Sequence, residues 1–460
     1  MTDPRTPSIL TPSRRKLLQT TGLATAATLA GSMVPAVHAA GSDLVQLALV
    51  GCGGRGSGAA LNALSTTSGP IKLVAMADAF EDRLSKSYAS LSKQKPKQVD
   101  VPGERKFVGF DAYQKALDSL KPGDVAIFAT PLAFRWVHFQ YAISKGINVF
   151  MEKPLTADGP SSKKMLALAE QSVAKNLKVG VGLMSRHARN LQELHARVQD
   201  GEIGDIIAMR GYRMHGPVGT MQSVAKPKEM TELEFQVRRF HSMLWAGGGC
   251  FSDFYIHIID HLCWMKNKWP VKAFGTGGRQ YQRLGDTPYV DQNFDTYSVE
   301  YTFDDGTKMF FDGRCQQGTQ TMYSSFLHGS KGSAVASKSG DCGGPSSTHR
   351  GQSPSADNRI WQSKDDTVAY QNEWDALIEA IRQDKPHNEV KRGVEASLVT
   401  SMGRASCHIG KEITFDEMLN SDHEFAPGLE KLTKDTPAPV LPDEKGVYPQ
   451  PQPGMKKREY

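Results

Sequence analysis

Short apolar runs alternate with helical runs along the first third of the chain. The apolar runs carry Val, Ile, Leu and Ala with few polar interruptions, which is typical of strands buried on both faces. Such strands are predicted over 44–50, 71–77, 106–108, 125–128 and 148–151. Helices are predicted between them, over 80–91, 112–120 and 134–145. This alternation predicts a parallel sheet with right-handed crossovers.

Beyond Lys266 the period of the apolar residues changes to two. Strands are predicted over 271–281, 296–303, 308–314, 321–328 and 333–337. Alternation of apolar and polar residues indicates a mostly antiparallel, open sheet with one face covered by helices, in an α+β domain. Helices predicted over 372–382 and 394–407 then return to pack on the first domain.

A glycine-rich turn, residues 51–56 (GCGGRG), follows the first strand and precedes a helical run. This is the dinucleotide fingerprint G-x-G-x-x-G in its required context of strand, turn and helix. Gly51 permits the tight turn, Gly53 lets the backbone approach a pyrophosphate, and Gly56 lets helix and strand pack closely. We therefore predict a doubly wound Rossmann domain. A glycine-rich turn without function is the alternative.

The second predicted strand ends in Asp78. A carboxylate at this position can accept hydrogen bonds from both hydroxyls of the adenosine ribose, and it repels a 2′-phosphate. The sequence therefore favours NAD as cofactor. NADP is the alternative, because Arg83 lies close enough in sequence to neutralise a phosphate.

The stretch 148–154 (NVFMEKP) is an apolar strand with the charged pair Glu152 and Lys153 at its carboxyl end. In an open parallel sheet, ligands bind just outside the carboxyl ends of the strands. A lysine fixed there by a stiff bond to proline is placed for chemistry. Thr130 and Pro131 end the preceding strand at the same edge. We predict that Lys153 is catalytic.

A second group of polar residues lies at 253–261 (DFYIHIIDH), just after three glycines. On one continuous helix its two carboxylates and two imidazoles would share a face. Asp253, one turn before His257, is expected to hold that imidazole in one tautomer and raise its basicity. A metal site and a purely structural set of His and Asp residues are the alternatives. We predict no metal, and we assign Asp260 and His261 to structure.

GCGGRG after the first strand, ATP after the fourth and EKP after the fifth together resemble the Gfo/Idh/MocA oxidoreductase family. The likeness covers residues 43–425 and is greatest for the exported members of that family. It implies a nicotinamide-dependent oxidoreductase acting on a secondary alcohol of a sugar or polyol. It also implies that an Asp-x-x-x-His pair, here Asp253 and His257, carries catalysis with Lys153. In this family the open sheet often makes a dimer contact.

After Thr130-Pro131, members of the family often have a histidine where this chain has Arg135. We include this arginine in the predicted cofactor-binding set, which consists of Gly51, Gly53, Gly54, Arg55, Gly56, Asp78, Thr130, Pro131, Arg135 and Glu152. Two other functions stay open. One is a glycosidase that uses NAD transiently, although the family members with that activity carry Tyr-Pro-Thr-His at 253–257. The other is an exported protein that binds sugars and NAD without turnover.

The first residues read as a twin-arginine export signal. Residues 13–18 (SRRKLL) precede a weakly apolar run at 21–30 and a small-residue site at 36–39, so we expect cleavage after Ala39. The run is too short and too rich in Thr, Ala and Gly to span a bilayer, so no membrane anchor is expected after cleavage. A disordered basic tail is the alternative. We predict a periplasmic protein.

Composition adds three constraints. The net charge of +6 is mild, and removing residues 1–39 takes away four basic residues and one acidic residue, which argues against a nucleic-acid partner. Six cysteines lack any metal-binding spacing and are expected to be core thiols. An exported enzyme cannot rely on free NAD, so we expect a tightly held cofactor.

The predicted domains are a signal peptide (1–39), a nucleotide-binding domain (43–185) and a substrate domain (186–370), followed by the returning helices (371–425) and an extended arm (426–460). The proline-rich end, 436–460, is expected to lie over a neighbouring chain or to be disordered. The loop Asp291-Gln292-Asn293 is expected to line the sugar pocket or to face solvent.

Overall fold

The computed structural model describes residues 43–221, 224–279, 291–365 and 368–460. The predicted export signal and the end of the strand predicted over 271–281 lie outside the described residues. In the described parts of the chain, no helix is both long enough and apolar enough to cross a membrane.

The first sheet is parallel and has helices on both faces. Its strands are β1 Val45–Val50, β2 Ile71–Asp78, β3 Lys106–Val108, β4 Val125–Phe128, β5 Asn148–Met151 and β6 Val179–Val181. The helices between them are α1 Gly54–Ala63, α2 Glu81–Gln94, α3 Ala112–Leu117, α4 Arg135–Lys145 and α5 Gly159–Ala174. Leu47 and Leu49 of β1 enter one apolar core, while Ala48 and Val50 enter the core on the opposite face.

The strand order is β3-β2-β1-β4-β5-β6. It reverses between β1 and β4, and at such a point the strand ends diverge to leave a crevice for ligands. The predicted doubly wound Rossmann sheet is confirmed.

The second sheet is mostly antiparallel, as predicted. Its strands are β7 Ile206–His215, β8 Lys272–Gly278, β9 Thr296–Thr302, β10 Lys308–Cys315, β11 Met322–Gly329, β12 Gly332–Ser337, β13 Ser347–Arg350, β14 Arg359–Gln362 and β15 Ile413–Thr414. Within the described residues the order is β14-β13-β12-β11-β7-β10-β9-β8-β15, and β7 with β10 is the parallel pair.

The remaining helices are α6 Arg189–Gln199, α7 Glu232–Arg238, α8 Leu244–Gly247, α9 Gly249–Phe254, α10 Ile256–Lys266, α11 Ala369–Arg382, α12 Val390–Ile409 and α13 Phe415–Asn420. α7 ends at Arg238, and a 3-10 turn, Phe240–Ser242, follows it. α12 is buried along most of its length and packs against α5, α9 and β8, so it joins the two domains.

The proline-rich tail packs back over its own chain. Glu459, the penultimate residue, is buried and binds Arg404 of α12 at 2.8 Å. Farther up the tail, Tyr448 donates a hydrogen bond to Glu232 of α7 at 2.6 Å. The tail therefore packs on α7 and α12 of its own chain, which neither sequence alternative anticipated.

Candidate active site

A cavity of about 650 Å³ lies at the carboxyl edge of the first sheet, and we call it the larger cavity. The three glycines of the fingerprint differ in what surrounds them. A Cβ on Gly51 would lie 2.6 Å from the carbonyl carbon of Ala129, and one on Gly56 would lie 2.0 Å from the Gly51 oxygen. At Gly53 nothing lies within 4 Å, so its backbone faces open space. This loop fits the pyrophosphate of a dinucleotide.

Asp78 lies in the same cavity, at the end of β2. One carboxylate oxygen accepts the amide of Cys52 at 2.6 Å, and the other accepts the amide of Phe80 at 2.9 Å. Burial raises the pKa of Asp78, and these two amide bonds oppose the rise. Arg83 and Lys86 line the same cavity. Asp78, which is predicted to bind the ribose, therefore lines the same cavity as the cations Arg83 and Lys86.

A second cavity of about 270 Å³, the smaller cavity, adjoins the first. The two share part of their walls, including Arg55, Thr130, Phe240 and His241. Their arrangement is that of a cofactor crevice with a side chamber for a small second ligand.

Arg55 connects the glycine loop to the end of β5. Its Nε lies 2.5 Å from Oε1 of Glu152, and its guanidinium lies 4.4 Å from the ring centre of Tyr370. Glu152 is thus occupied by an arginine of the protein, although it was predicted to bind cofactor. Thr130 and Pro131 line the larger cavity, and the Thr130 hydroxyl lies 3.4 Å from Nδ1 of His138.

Arg135 is buried, and its side chain bonds main-chain carbonyls at the edge of the first sheet. Its Nε donates to the carbonyl of Glu152 at 2.8 Å, and its Nη1 donates to the carbonyl of Phe128 at 2.9 Å. The guanidinium thereby ties together the ends of β4 and β5. Arg135 lines the smaller cavity, and its predicted contact with the cofactor stays a prediction.

Lys153 projects into the smaller cavity and is held by Asp253. Its Nζ donates to the main-chain carbonyl of Asp253 at 2.5 Å and to Oδ1 of the same residue at 3.1 Å. The other carboxylate oxygen of Asp253 lies 3.3 Å from Nε2 of His241. Burial alone would raise the pKa of Asp253, but Lys153 and His241 together lower it well below its usual range.

The predicted bond between Asp253 and His257 is replaced by these contacts. The helix expected to carry both residues is interrupted at Tyr255, so Asp253 lies near the end of α9 and His257 lies near the start of α10. His257 is 5% exposed, and its Nδ1 has no hydrogen-bond partner among the described residues. Burial, together with the charges of Lys153 and Arg213, lowers the pKa of His257 well below its usual value. A neutral imidazole therefore lines the cavity beside a lysine.

Asp260 and His261 lie deeper and serve the fold. Asp260 forms an ion pair with Arg186 at 2.7 Å, and His261 lies 2.8 Å from the hydroxyl of Ser325. Among the described residues, no three His, Cys, Asp or Glu side chains are arranged to hold a metal ion.

The loop Asp291-Gln292-Asn293 is buried behind the site, and all three of its residues are less than 5% exposed. The Gln292 side chain accepts the amide of Leu244 at 3.0 Å, and Asn293 accepts that of Cys250 at 2.6 Å. These bonds hold the starts of α8 and α9. The loop therefore supports the helix that carries Asp253, instead of lining the pocket or facing solvent.

Sequence reasoning missed several residues of the site. The walls of the two cavities also include His138, Arg213, His241, Asp341 and Tyr370. His138 lies one helical turn after Arg135, and His241 precedes the three glycines by a few residues, so proximity to predicted motifs was a usable signal. The other three carry no local signal, because no motif surrounds them.

Comparison with known proteins gives three findings. Residues 191–335 match the family model of the GFO/IDH/MocA C-terminal domain. An inositol 2-dehydrogenase of Corynebacterium glutamicum is 29% identical over 150 residues, which are 32% of this chain and 41% of that protein. The chain thus matches about two fifths of the length of this relative.

Solved structures share the fold over most of the chain. The aldose-aldose oxidoreductase of Caulobacter crescentus has a TM-score of 0.59 at 15% identity, covering 80% of this chain and 99% of that one. The myo-inositol 2-dehydrogenase of Lactobacillus plantarum has the same TM-score at 21% identity, with the same coverage of both chains. The two-domain arrangement is therefore one that dehydrogenases of known structure also have.

Proposed function

We propose that the protein is an NAD(P)-dependent dehydrogenase of the Gfo/Idh/MocA family that oxidises a secondary alcohol of a sugar or polyol. The observation that carries the proposal is that Lys153 and His257, whose imidazole is neutral, line one small chamber that adjoins a dinucleotide-sized cavity. The family match of residues 191–335 and the inositol 2-dehydrogenase relative support the same reaction class.

The surroundings of each residue indicate its role in the reaction. When bound, the nicotinamide cofactor accepts the hydride, and the glycine loop, Asp78 and Thr130 would hold it. His257 removes the hydroxyl proton, because its imidazole is neutral and lines the same chamber as Lys153. Lys153 donates a hydrogen bond to the same oxygen and stabilises the developing alkoxide. Asp253 positions Lys153, and the steps reverse when a ketone is reduced.

Replacement of Lys153 by Ala tests this assignment. Turnover should fall by roughly 10²–10⁴, while the affinity for cofactor stays near the wild-type value. NADH formation with a panel of sugars and polyols gives turnover, and fluorescence titration gives cofactor affinity. Lys72→Ala is the matched control, because Lys72 pairs with Asp100 at the surface. Wild-type turnover in Lys153→Ala would overturn the assigned role.

We also propose export to the periplasm by the twin-arginine route, supported by residues 13–18 (SRRKLL).

We further propose a homo-oligomer that forms through the open face of the second sheet, and exposed apolar side chains on that face support it. Phe274 is 54% exposed and Phe310 is 37% exposed, and both pair in register with Glu300 on the strand between them. Light scattering of the wild type and of Phe310→Glu checks this, and a monomer in both would contradict it.

A further inference from the structure

The wall of the smaller cavity includes an ion pair that the proposed mechanism does not use. Arg213 comes from β7, and Asp341 comes from the loop 338–346 between β12 and β13. Their Nη1 and Oδ1 atoms are 3.2 Å apart, and the two side chains are 12% and 15% exposed. Both residues line the cavity that contains Lys153 and His257.

The loop that carries Asp341 is fixed from behind. The hydroxyl of Ser185 donates to the main-chain carbonyl of Asp341 at 3.3 Å, and the amide of Asn190 donates to the carbonyl of Cys342 at 3.0 Å. Both donors are 1% exposed. A carboxylate held in this way is already in place before a ligand binds, which lowers the entropy cost of binding.

Two buried nitrogens in this cavity have no partner. Nε of Arg213 and Nδ1 of His257 lack hydrogen bonds within the described residues. A buried polar atom left without a partner costs about 1–3 kcal/mol. Residues in the wall of this cavity therefore keep hydrogen-bonding groups that the protein itself does not satisfy.

The charges of the cavity are already paired. Three carboxylates in its wall each have a cation at 3.2 Å or less: Glu152 with Arg55, Asp253 with Lys153, and Asp341 with Arg213. The remaining arginine, Arg135, donates to main-chain carbonyls. Hydroxyl groups can add to these existing ion pairs without displacing a carboxylate, whereas an anionic ligand would compete with the three carboxylates for their cations.

The size of the cavity and its aromatic residues limit the ligand further. Its volume of about 270 Å³ is at the small end of ligand pockets, which span about 300–1,000 Å³. Phe240, Phe254 and Tyr370 contribute to its wall and can pack against the C–H face of a ring. A single ring suits this space better than an oligosaccharide.

The geometry points to Arg213 and Asp341 as a recognition subsite for adjacent hydroxyl groups of an uncharged, single-ring sugar or cyclitol, away from the reacting carbon. This assignment rests on the proposed function, because it concerns the substrate of the same cavity. It adds the class of substrate and the residues that select it.

Calorimetry on the full chain with reduced cofactor measures the affinity of a sugar or cyclitol for the subsite without its oxidation. The probes are myo-inositol, glucose, a deoxy analogue of whichever ring binds, glucuronate and glucose 6-phosphate. We expect a neutral ring to bind at least about tenfold more tightly than the two anions. Tighter binding of either anion would overturn the assignment.

Substitutions test whether Arg213 and Asp341 recognise the ligand. Asp341→Asn and Arg213→Gln should each raise the dissociation constant and KM for the neutral ring by about tenfold or more and change kcat by much less. Both should also lose the preference for the full ring over its deoxy analogue. Arg210→Gln is the matched control, because Arg210 lies on the same strand and pairs with Asp312 at 3.5 Å outside the cavity.

The outcomes distinguish the two proposals. If both variants keep the wild-type KM and the wild-type preference for the full ring over its deoxy analogue, the subsite assignment is wrong. The proposed dehydrogenase reaction is not affected by that result. Tight binding of a neutral ring that the variants weaken, without NADH formation by the wild type, would support the subsite and contradict the proposed reaction.

Discussion

The imidazole of His257 is kept neutral by burial and by the nearby charges of Lys153 and Arg213, which lower its pKa well below 6.5. Only the neutral form can accept the hydroxyl proton. Alcohol oxidation should therefore hold its kcat/KM through pH 6.5 and lose it at lower pH, as the imidazole becomes protonated. In His257→Gln the rate should fall by roughly 10²–10⁴ and this acid limb should disappear. A pH profile of kcat/KM checks both, and an unchanged limb in the variant would assign it to another group.

The carboxylate of Asp78 is expected to make the protein bind NAD more tightly than NADP. Its carboxylate already accepts two main-chain amides, and a charge-assisted bond to a ribose hydroxyl is worth roughly 1.5–3 kcal/mol. Asp78→Ser should weaken NAD binding by about tenfold or more and narrow the difference from NADP. Fluorescence titration with both cofactors measures this, with Asp100→Asn as a surface control. Equal affinities in the wild type would show that Arg83 and Lys86 outweigh the carboxylate.

Among the elements, α9 depends on a buried arginine and on the tail. Arg404 of α12 donates to the carbonyl of Gly248 at 2.9 Å and to the hydroxyl of Ser252 at 2.7 Å, at the start of the helix that carries Asp253. Its charge is compensated by Glu459, which lies 2.8 Å away. The end of the tail thus completes the support of the site from behind.

Replacing Glu459 by Gln should expose how much the fold depends on this contact. Breaking one partner of a buried pair costs on the order of 3–5 kcal/mol, so the melting temperature should drop clearly at pH 7. Burial alone would raise the pKa of Glu459, but Arg404 and His408 lower it to about 2 from 4.5. The stabilisation is therefore present above pH 4.5 and lost as the pH falls towards 2.

The difference in unfolding free energy between wild type and Glu459→Gln should accordingly shrink over that same range. Denaturant unfolding at several pH values measures it. Glu430→Gln, an exposed position in the tail, is the control. Equal stability of Glu459→Gln and wild type at pH 7 would show that the tail contact is dispensable.

At the scale of the whole molecule, the second domain supplies part of the wall of the larger cavity. Thr220, Val237, Phe240 and His241 all lie in the segment after β7 and contribute to its wall, whereas Arg135 and the tail do not. Both domains would therefore contact a cofactor bound in this cavity. An enzyme exported with one cofactor molecule needs a dissociation constant on the order of nanomolar, about 12 kcal/mol.

Such an enzyme should retain NAD(P) and reoxidise it in place. It would oxidise one sugar and reduce another carbonyl compound in alternation, with ping-pong kinetics. The measurement is to purify the mature protein from the periplasm, dialyse it extensively, denature it and assay the released nucleotide. A protein that is empty after dialysis and works only with added cofactor would contradict this expectation.

The fold was predictable where the pattern is local. β1, β2, β4 and β5 were placed to within a residue, because a strand buried on both faces is a continuous apolar run. β13 and β15 were missed, because short polar strands are defined by the neighbours with which they pair. The break of the predicted helix at Tyr255 was missed for a related reason, since side-chain periodicity continues across it.

The sequence by itself determined the glycine loop, the carboxylate at the end of β2 and a lysine at the edge of the first sheet, because each lies directly at the end of an apolar run. Only the tertiary structure decided the partners of these residues. Asp253 binds Lys153, which lies 100 positions away, and Arg213 binds Asp341, which lies 128 positions away. Contacts over such separations depend on how helices and sheets pack, and the local pattern of apolar and polar residues carries no record of that packing.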